Sequence, residues 1–595
     1  MPPLLSGNRQ EEGASVQIKE EKDMTGRLCN KALAFGLSLA LMMSLAACGG
    51  SADQESTGGQ SPAQTADQNT NQNSSASDSS AMADAVTDDS IHAAEATGAF
   101  SLTSEDGTFT QSGSIYTITA AGTYVLSGAL NGQILVDAGD DDEVVLELSG
   151  VTISYDQDSP IKCLNADKVE ISAKADTENV IKDTRSTKTV SSGGGNGAIY
   201  AKTDLKLKGS GVLVVTAGYN NGVETTKDLT IQKLSLKVTA YNNAIKGGDS
   251  VTVKSGAVVA ISTNGDGVET ENTDANKNGE TRGDILLTGG SITVYAAGDA
   301  FQAAHSFTME ADEEGNTPVV LIYTGAYSGY TASDASTTSY KGVKVQDELN
   351  ISAGSLEIHS YDDGLHADYG TSFEAGGKGS GTINISGGSV SMSVYSPENK
   401  TAGGRMGPGG RGGWSNQQTV SGADGIHADY KLNISGGVIN IDSAYEGLEA
   451  NVINISGGTT CVAGNDDGVN ATKGQETAQI NISGGYLDVT VSANGDTDGI
   501  DSNGSYTQTG GIVITRGPSS EMAAAIDADG SVSISGGTLI ILGYGRVSAS
   551  GNVKQYSLSL HSSGSHSVTI DGTSYTFTNA GSYGSTSCYS SVSVK

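Results

Sequence analysis

Two phrases of the chain, DDGLHAD (residues 362–368) and ADGIHAD (residues 423–429), set a histidine between aspartates at one spacing. They use His366 and His427, two of only seven histidines in 595 residues. An imidazole three residues after one carboxylate and two before another suits a general acid and base, a metal ligand or a polar ladder. Related phrases continue the acidic theme without histidine: YEGLEA brings Glu446 and Glu449, DDGVNA brings Asp466 and Asp467, and TDGIDS brings Asp498 and Asp501.

These residues need elements that bring them together, and a repeat supplies them. NNGVE (at Gly222), NNAIK (Ala244), GDGVET (Gly267), GDAFQ (Ala300), YKGVK (Gly342) and the five phrases from Gly364 to Gly499 recur at about twenty-two residues, or at that period plus an insertion. A second phrase follows in many units, as in LNISAG at Leu349 and INISGG at Ile383, Ile453 and Ile480. A third apolar and polar alternation comes after it, such as SVSMSVYS from Ser389. Three short half-buried strands per repeat predict an all-β chain, a right-handed single-stranded parallel β-helix with three strands per coil. A β-propeller needs about forty residues and four strands per blade, so the period argues against it.

The repeat dictates which way side chains point, because alternate residues of a strand face opposite sides. Leu365 and Ala367 belong inside, His366 and Asp368 outside. The same frame predicts one external column: Glu224, Lys246, Glu269, Gln302, Lys344, His366, His427, Glu449, Asn470 and Asp501. Asp363, Asp424, Glu446, Asp467 and Asp498 align at the preceding turn. Carboxylates one coil apart, at about 4.8 Å, repel by about 3.5 kcal/mol at an effective dielectric near ~20, so the rows ask for a cation or a proton. Oxygen donors with no cysteine among them suit Ca²⁺. The expected ligands are Asp362, Asp363, Asp368, Asp424, Asp429, Glu446, Glu449, Asp466, Asp467, Asp498 and Asp501. Zinc at the stacked histidines is the alternative to a hydrogen-bonded surface ladder, and the ladder is the reading taken. Asn350, Asn384, Asn433, Asn454 and Asn481 share an outward slot and predict a structural amide ladder.

The second histidine phrase is delayed by an insertion that includes residues 399–418, where the sole tryptophan, Trp414, and Arg405 and Arg411 stand among glycines. Insertions in solenoids often form the binding face, and an aromatic plate with two guanidinium groups can stack on a sugar and pair with a uronate. The alternative is a featureless Gly-rich loop. Trp414, Arg405, Arg411, His366 and His427 are the expected carbohydrate contacts.

Composition narrows the partners. Lys and Arg total 33 against 68 Asp and Glu, a formal charge of −35, which disfavours nucleic acid and anionic membrane surfaces. Residues 1–48 read as an export signal. Arg27 and Lys31 precede an apolar run too short to span a bilayer comfortably, and LAAC ending at Cys48 resembles a bacterial lipobox, which implies lipidation there. Met24 is an alternative start. Residues 49–96 are too polar to bury a core and read as a disordered tether, 97–550 as the β-helix, and 551–595 as a cap or tail. The expected location is extracellular, on the cell membrane through the lipid alone.

GTYVLSGALNGQILVDAGDDDEVVLELSGVTIS (residues 122–154) and ADKVEISAKADTENVIKD (residues 166–183), with the later DDGLHAD and INISGG coils, resemble bacterial exported proteins of the carbohydrate-binding domain family over roughly residues 97–550. The resemblance implies a pectate-lyase-like β-helix, calcium between coils, and adhesion to plant-type polysaccharides, including acidic pectin-like polymers. The function expected is therefore non-catalytic polysaccharide binding. One alternative is a Ca²⁺-dependent polysaccharide lyase, with Lys246, Lys341 or Lys344 as base. A second is a structural adhesin without glycan specificity.

Overall fold

The computed structural model describes residues 88–185, 194–329, 339–372, 378–395, 422–520 and 523–595. The β-branched alternation closes into coils of three strands, and each strand pairs in parallel with its equivalent one coil away. On the first face Ile199, Val223, Ile245, Val268, Phe301, Val343, Leu365, Ile426, Leu448, Val469 and Ile500 stand in register and point inward, all nearly or fully buried. The second face stacks Leu349, Ile383, Leu432, Ile453 and Ile480, and the third Leu356, Val390, Ile439, Thr460 and Leu487. Burial of this continuous column, which one coil cannot achieve alone, is what makes the stack stable.

The asparagine ladder forms as expected on the second face. Each Nδ2 donates to the preceding Oδ1, from Asn384 to Asn350, Asn433 to Asn384 and Asn454 to Asn433 at 2.9 Å, and Asn481 to Asn454 at 3.0 Å. The glycine that opens most first-face strands has a steric reason at two clear positions. A Cβ on Gly447 would lie 1.9 Å from Val462 Cγ1, and one on Gly425 would lie 2.6 Å from the Gly447 carbonyl.

Both ends depart from the parallel pattern. Ser101–Ser104 pairs antiparallel with Gly122–Asn131 and starts the stack. Residues 88–96, read from composition as the end of a tether, instead cross the outside of the third face. Ala96 N–H donates to Thr152 Oγ1 (2.8 Å) and Ala94 N–H to Glu178 Oε2 (2.7 Å). Ile91 is buried with Val259 and Ile261, and Lys237 holds Asp88. Residues 88–96 therefore belong to the folded body, because outward valines and isoleucines on these coils offer a groove that only the tertiary structure assembles.

At the other end Thr586–Ser590 pairs antiparallel with Thr538–Leu542, which terminates the parallel ladder and removes an exposed sheet edge. The hairpin Gly564–Ile570 with Thr573–Asn579 brings Phe577 over Tyr486, Ile514 and Ile540. Arg516 is fully buried beneath it, paired with Asp488, hydrogen-bonded to Asn579 and the Val489 carbonyl, and stacked on Phe577. Residues 551–595 are thus a cap packed on the last coils.

Candidate functional site

The external column forms in the register the repeat implies: Glu224, Lys246, Glu269, Gln302, Lys344, His366, His427, Glu449, Asn470 and Asp501 are successive partners. Beside it runs the turn column, and there the structure adds something that spacing did not reveal. Asp363 Oδ1 accepts the backbone N–H of Asp424 (2.8 Å), Asp424 Oδ1 that of Glu446 (3.1 Å), Asp467 Oδ1 that of Asp498 (2.8 Å), and Asp498 Oδ1 that of Ala524. Upstream, Asp266 does the same for Asp299 (2.8 Å) and Asp299 for Lys341 (2.7 Å). Each carboxylate therefore ties its own turn to the next, with one oxygen left for other chemistry.

In the coils of the two histidine phrases that second oxygen meets a cation from the chain itself. Lys341, delivered by the insertion before it, donates to Asp362 Oδ1 (3.0 Å) and Asp363 Oδ2 (2.7 Å). His366 lies with Nδ1 2.7 Å from Asp363 Oδ2 and Nε2 2.8 Å from Asp368 Oδ1. His427 repeats this one coil on. Its Nδ1 is 3.0 Å from Asp424 Oδ2 and 2.8 Å from Glu449 Oε2, and its Nε2 is 3.2 Å from Asp429 Oδ1. The rings stack with centroids 4.7 Å apart and planes 16° apart. Asp429 is itself fixed by the Tyr369 N–H (2.8 Å) and Asp368 by Gln346 Nε2 (3.0 Å). Burial alone would raise the Asp363 carboxyl, but the His366 hydrogen bond and the Lys341 charge hold it below the usual range. Burial opposes charge on His427, and the three carboxylates around it override that and raise its pKa. Both ring nitrogens of each histidine face carboxylates.

Further along, the anions have no such counterpart among the described residues. Burial, followed by the charges of Glu449, Asp424 and Asp467, raises Glu446. Burial and the neighbouring Asp466, Asp498 and Asp501 push Asp467 up to about 8. Asp498 rises to about 6, through burial and then Asp501 and Asp527. Asn470 stands in the middle with its Nδ2 donating to Glu446 Oε2 (3.0 Å), while its buried Oδ1 has no hydrogen-bond partner. An orphaned buried acceptor among oxygen-only donors fits a hard cation.

The column thus divides by donor type. Asp363, Asp368, Asp424, Asp429 and Glu449 contact imidazole. Glu446, Asp467, Asp498 and Asp501, with Asn470, form an all-oxygen set, and Asp466 lies beside it against Tyr445. Trp414, Arg405 and Arg411, and the lipidation residue Cys48, lie outside the described residues. Sequence reasoning missed a row of tyrosines at the corner where the third face turns into the acidic column. Tyr361 and Tyr395 stack there at 4.0 Å with planes 9° apart, and Tyr395 is 39% exposed. The signal was present in YDDG and YEG, where a tyrosine directly precedes the turn acids.

Comparison with known proteins agrees with the resemblance over part of the chain. Residues 112–394 match the family model described as carbohydrate-binding domain-containing protein. A carbohydrate-binding domain-containing protein of Acetivibrio thermocellus is 39% identical over 126 residues, 21% of this chain, and the chain matches 44% of that relative's length. A solved structure of a polysaccharide lyase-like protein from C. thermocellum, a gadolinium derivative, shows 33% identity with a TM-score of 0.36, covering 42% of this chain and 90% of that one.

Proposed function

We propose that this protein is a non-catalytic polysaccharide-binding module displayed outside the cell from a lipid on Cys48, with a calcium-stabilised β-helix as its binding body. The carbohydrate-binding family match over residues 112–394 supports the glycan partner. The observation that carries the reading at residue level is the uncompensated acidic stretch with Asn470 Oδ1 at its centre. Glu446, Asp467, Asn470, Asp498 and Asp501 are the residues that would hold Ca²⁺. Bound there, it supplies the positive charge the stacked carboxylates lack and open positions for the carboxylate of a uronate polymer. The corner tyrosines Tyr361 and Tyr395 offer an adjoining aromatic surface on which a sugar ring packs.

Two of the three lysines that could serve as a lyase base are held by carboxylates, which favours binding over cleavage. Lys246 is held by Glu269 (3.1 Å) and Glu271 (2.8 Å), and Lys341 by Asp362 and Asp363. Burial opposes their charge, but these carboxylates raise both pKa values, so each stays an ammonium ion. A lyase needs a neutral amine or similar base near the proton it removes.

The test is retention of the purified protein on polygalacturonate and on cellulose, with Ca²⁺ and with chelator, alongside an absorbance assay for unsaturated products. Calcium-dependent retention without product release is the expected result. Product release lost on Lys246→Ala, Lys341→Ala or Lys344→Ala would replace this reading with a lyase, and no retention on either polymer would leave a structural adhesin.

A further inference from the structure

The two histidine coils present a different donor set from the all-oxygen stretch below them. We infer that they form a binding site for a divalent first-row transition-metal ion, of which Zn²⁺ is the probe that fits best. Asp424 Oδ2, His427 Nδ1 and Glu449 Oε2 lie within 4.8 Å of one another, and so do Asp363, His366 and His427 through one donor atom each. His427 belongs to both triads.

Three features of the geometry support an ion here. First, Asp424 Oδ2 and Glu449 Oε2 both address the same ring nitrogen, at 3.0 and 2.8 Å. One N–H cannot point well at both oxygens, whereas a dication between the three satisfies all of them. Second, each histidine has its far nitrogen backed by a carboxylate, His366 by Asp368 at 2.8 Å and His427 by Asp429 at 3.2 Å. With an ion at Nδ1 in place of its proton, that carboxylate keeps the remaining proton on Nε2, the usual outer support of a metal-ligating imidazole. Third, the donors sit on rigid parts. His366, His427 and Glu449 are consecutive members of one strand ladder, and the other oxygens of Asp363 and Asp424 are tied to backbone N–H groups of the next coil.

Imidazole nitrogen with carboxylate oxygen selects zinc and its neighbours over calcium, which prefers oxygen alone. Lys341 already sits on Asp363 and Asp362, so the ion's place is against Asp424, His427 and Glu449, the triad that Lys341 leaves open. This inference is independent of the calcium reading, because the two sets share no residue.

The experiment uses the full chain stripped with chelator and titrated with Zn²⁺ in the presence of millimolar Ca²⁺. The expected result is one equivalent bound with Kd below about 1 µM, with the affinity lost by at least ~100-fold in His427→Gln and by about tenfold in Asp429→Asn, which acts only by positioning. Asp467→Asn leaves the Zn²⁺ affinity unchanged while altering the calcium response. If His427→Gln does not fold, the wild-type protein still decides. Co²⁺ then gives the intense visible bands of a low-coordinate imidazole site, and ¹⁵N-histidine spectra show Nδ1 of His427 shifting while Nε2 stays protonated. Sub-stoichiometric binding, displacement by Ca²⁺, equal affinity in His427→Gln, or a Co²⁺ spectrum like that of the aquo ion overturns the assignment.

Discussion

Replacing His305 with glutamine isolates one charge that the fold stabilises, away from the candidate ion sites. His305 bridges two coils: Nδ1 is 2.7 Å from Asp284 Oδ1 and Nε2 is 3.1 Å from Asp347 Oδ2. Hydrogen bonds donated to Asp284 and Asp347 raise its pKa from 6.5 to about 9, against a smaller opposing effect of burial. The folded state therefore binds a proton more tightly than the unfolded chain, and stability falls with pH between those two values. A rise of that size corresponds to about 3 kcal/mol, fully present below pH ~6.5 and gone above pH ~9, and screening at the half-exposed Asp284 reduces it to about 2 kcal/mol. His305→Gln should accordingly cost about 2 kcal/mol at pH 6 and almost nothing at pH 10. Global melting is a blunt readout for a solenoid whose coils can open separately. Amide exchange at Asp347, whose N–H donates to the His305 carbonyl at 3.0 Å, reports the coil directly. A difference between wild type and variant that stays constant from pH 5 to 10, or grows with pH, refutes the assignment of a bridging imidazolium.

Three further outcomes follow from the same geometry. Asp467→Asn keeps an Oδ1 acceptor for the Asp498 N–H but removes a carboxyl whose ionisation burial and its acidic neighbours oppose, so in chelator the variant should be more stable by about 1–3 kcal/mol, and its stabilisation by Ca²⁺ should shrink; denaturant titrations with and without Ca²⁺ read both. Gly447→Ala should destabilise by roughly 2 kcal/mol or more, measured by chemical denaturation, because its Cβ would overlap Val462 Cγ1. Arg516→Met leaves buried Asp488 without its partner and should cost about 3–5 kcal/mol, while the double variant with Asp488→Leu recovers much of that loss in the same assay.

Legibility was uneven, and the residues show why. The inward placing of Leu365, Ala367 and Ile426, and the full outward column from Glu224 to Asp501, could be read from spacing because a strand alternates strictly and a coil has a near-constant length. The partners of the acids could not. Lys341 reaches Asp362 and Asp363 from the far end of an insertion, and no local pattern records where an insertion returns. One oxygen of Asp363 goes to a backbone N–H one coil on, a contact between residues as far apart as Asp363 and Asp424.

The sequence by itself therefore determined the repeat, the faces of each strand and the columns of like residues, since those depend on periodicity and on burial of apolar side chains along one line. The tertiary structure alone decided which carboxylates are neutralised by lysine or histidine and which are left facing one another. It also decided that residues 88–96 and 551–595 lie on the third face instead of trailing from it. Electrostatic balance and docking of irregular segments depend on distances of a few ångströms between residues distant in the chain, and only the closed stack of coils sets those distances.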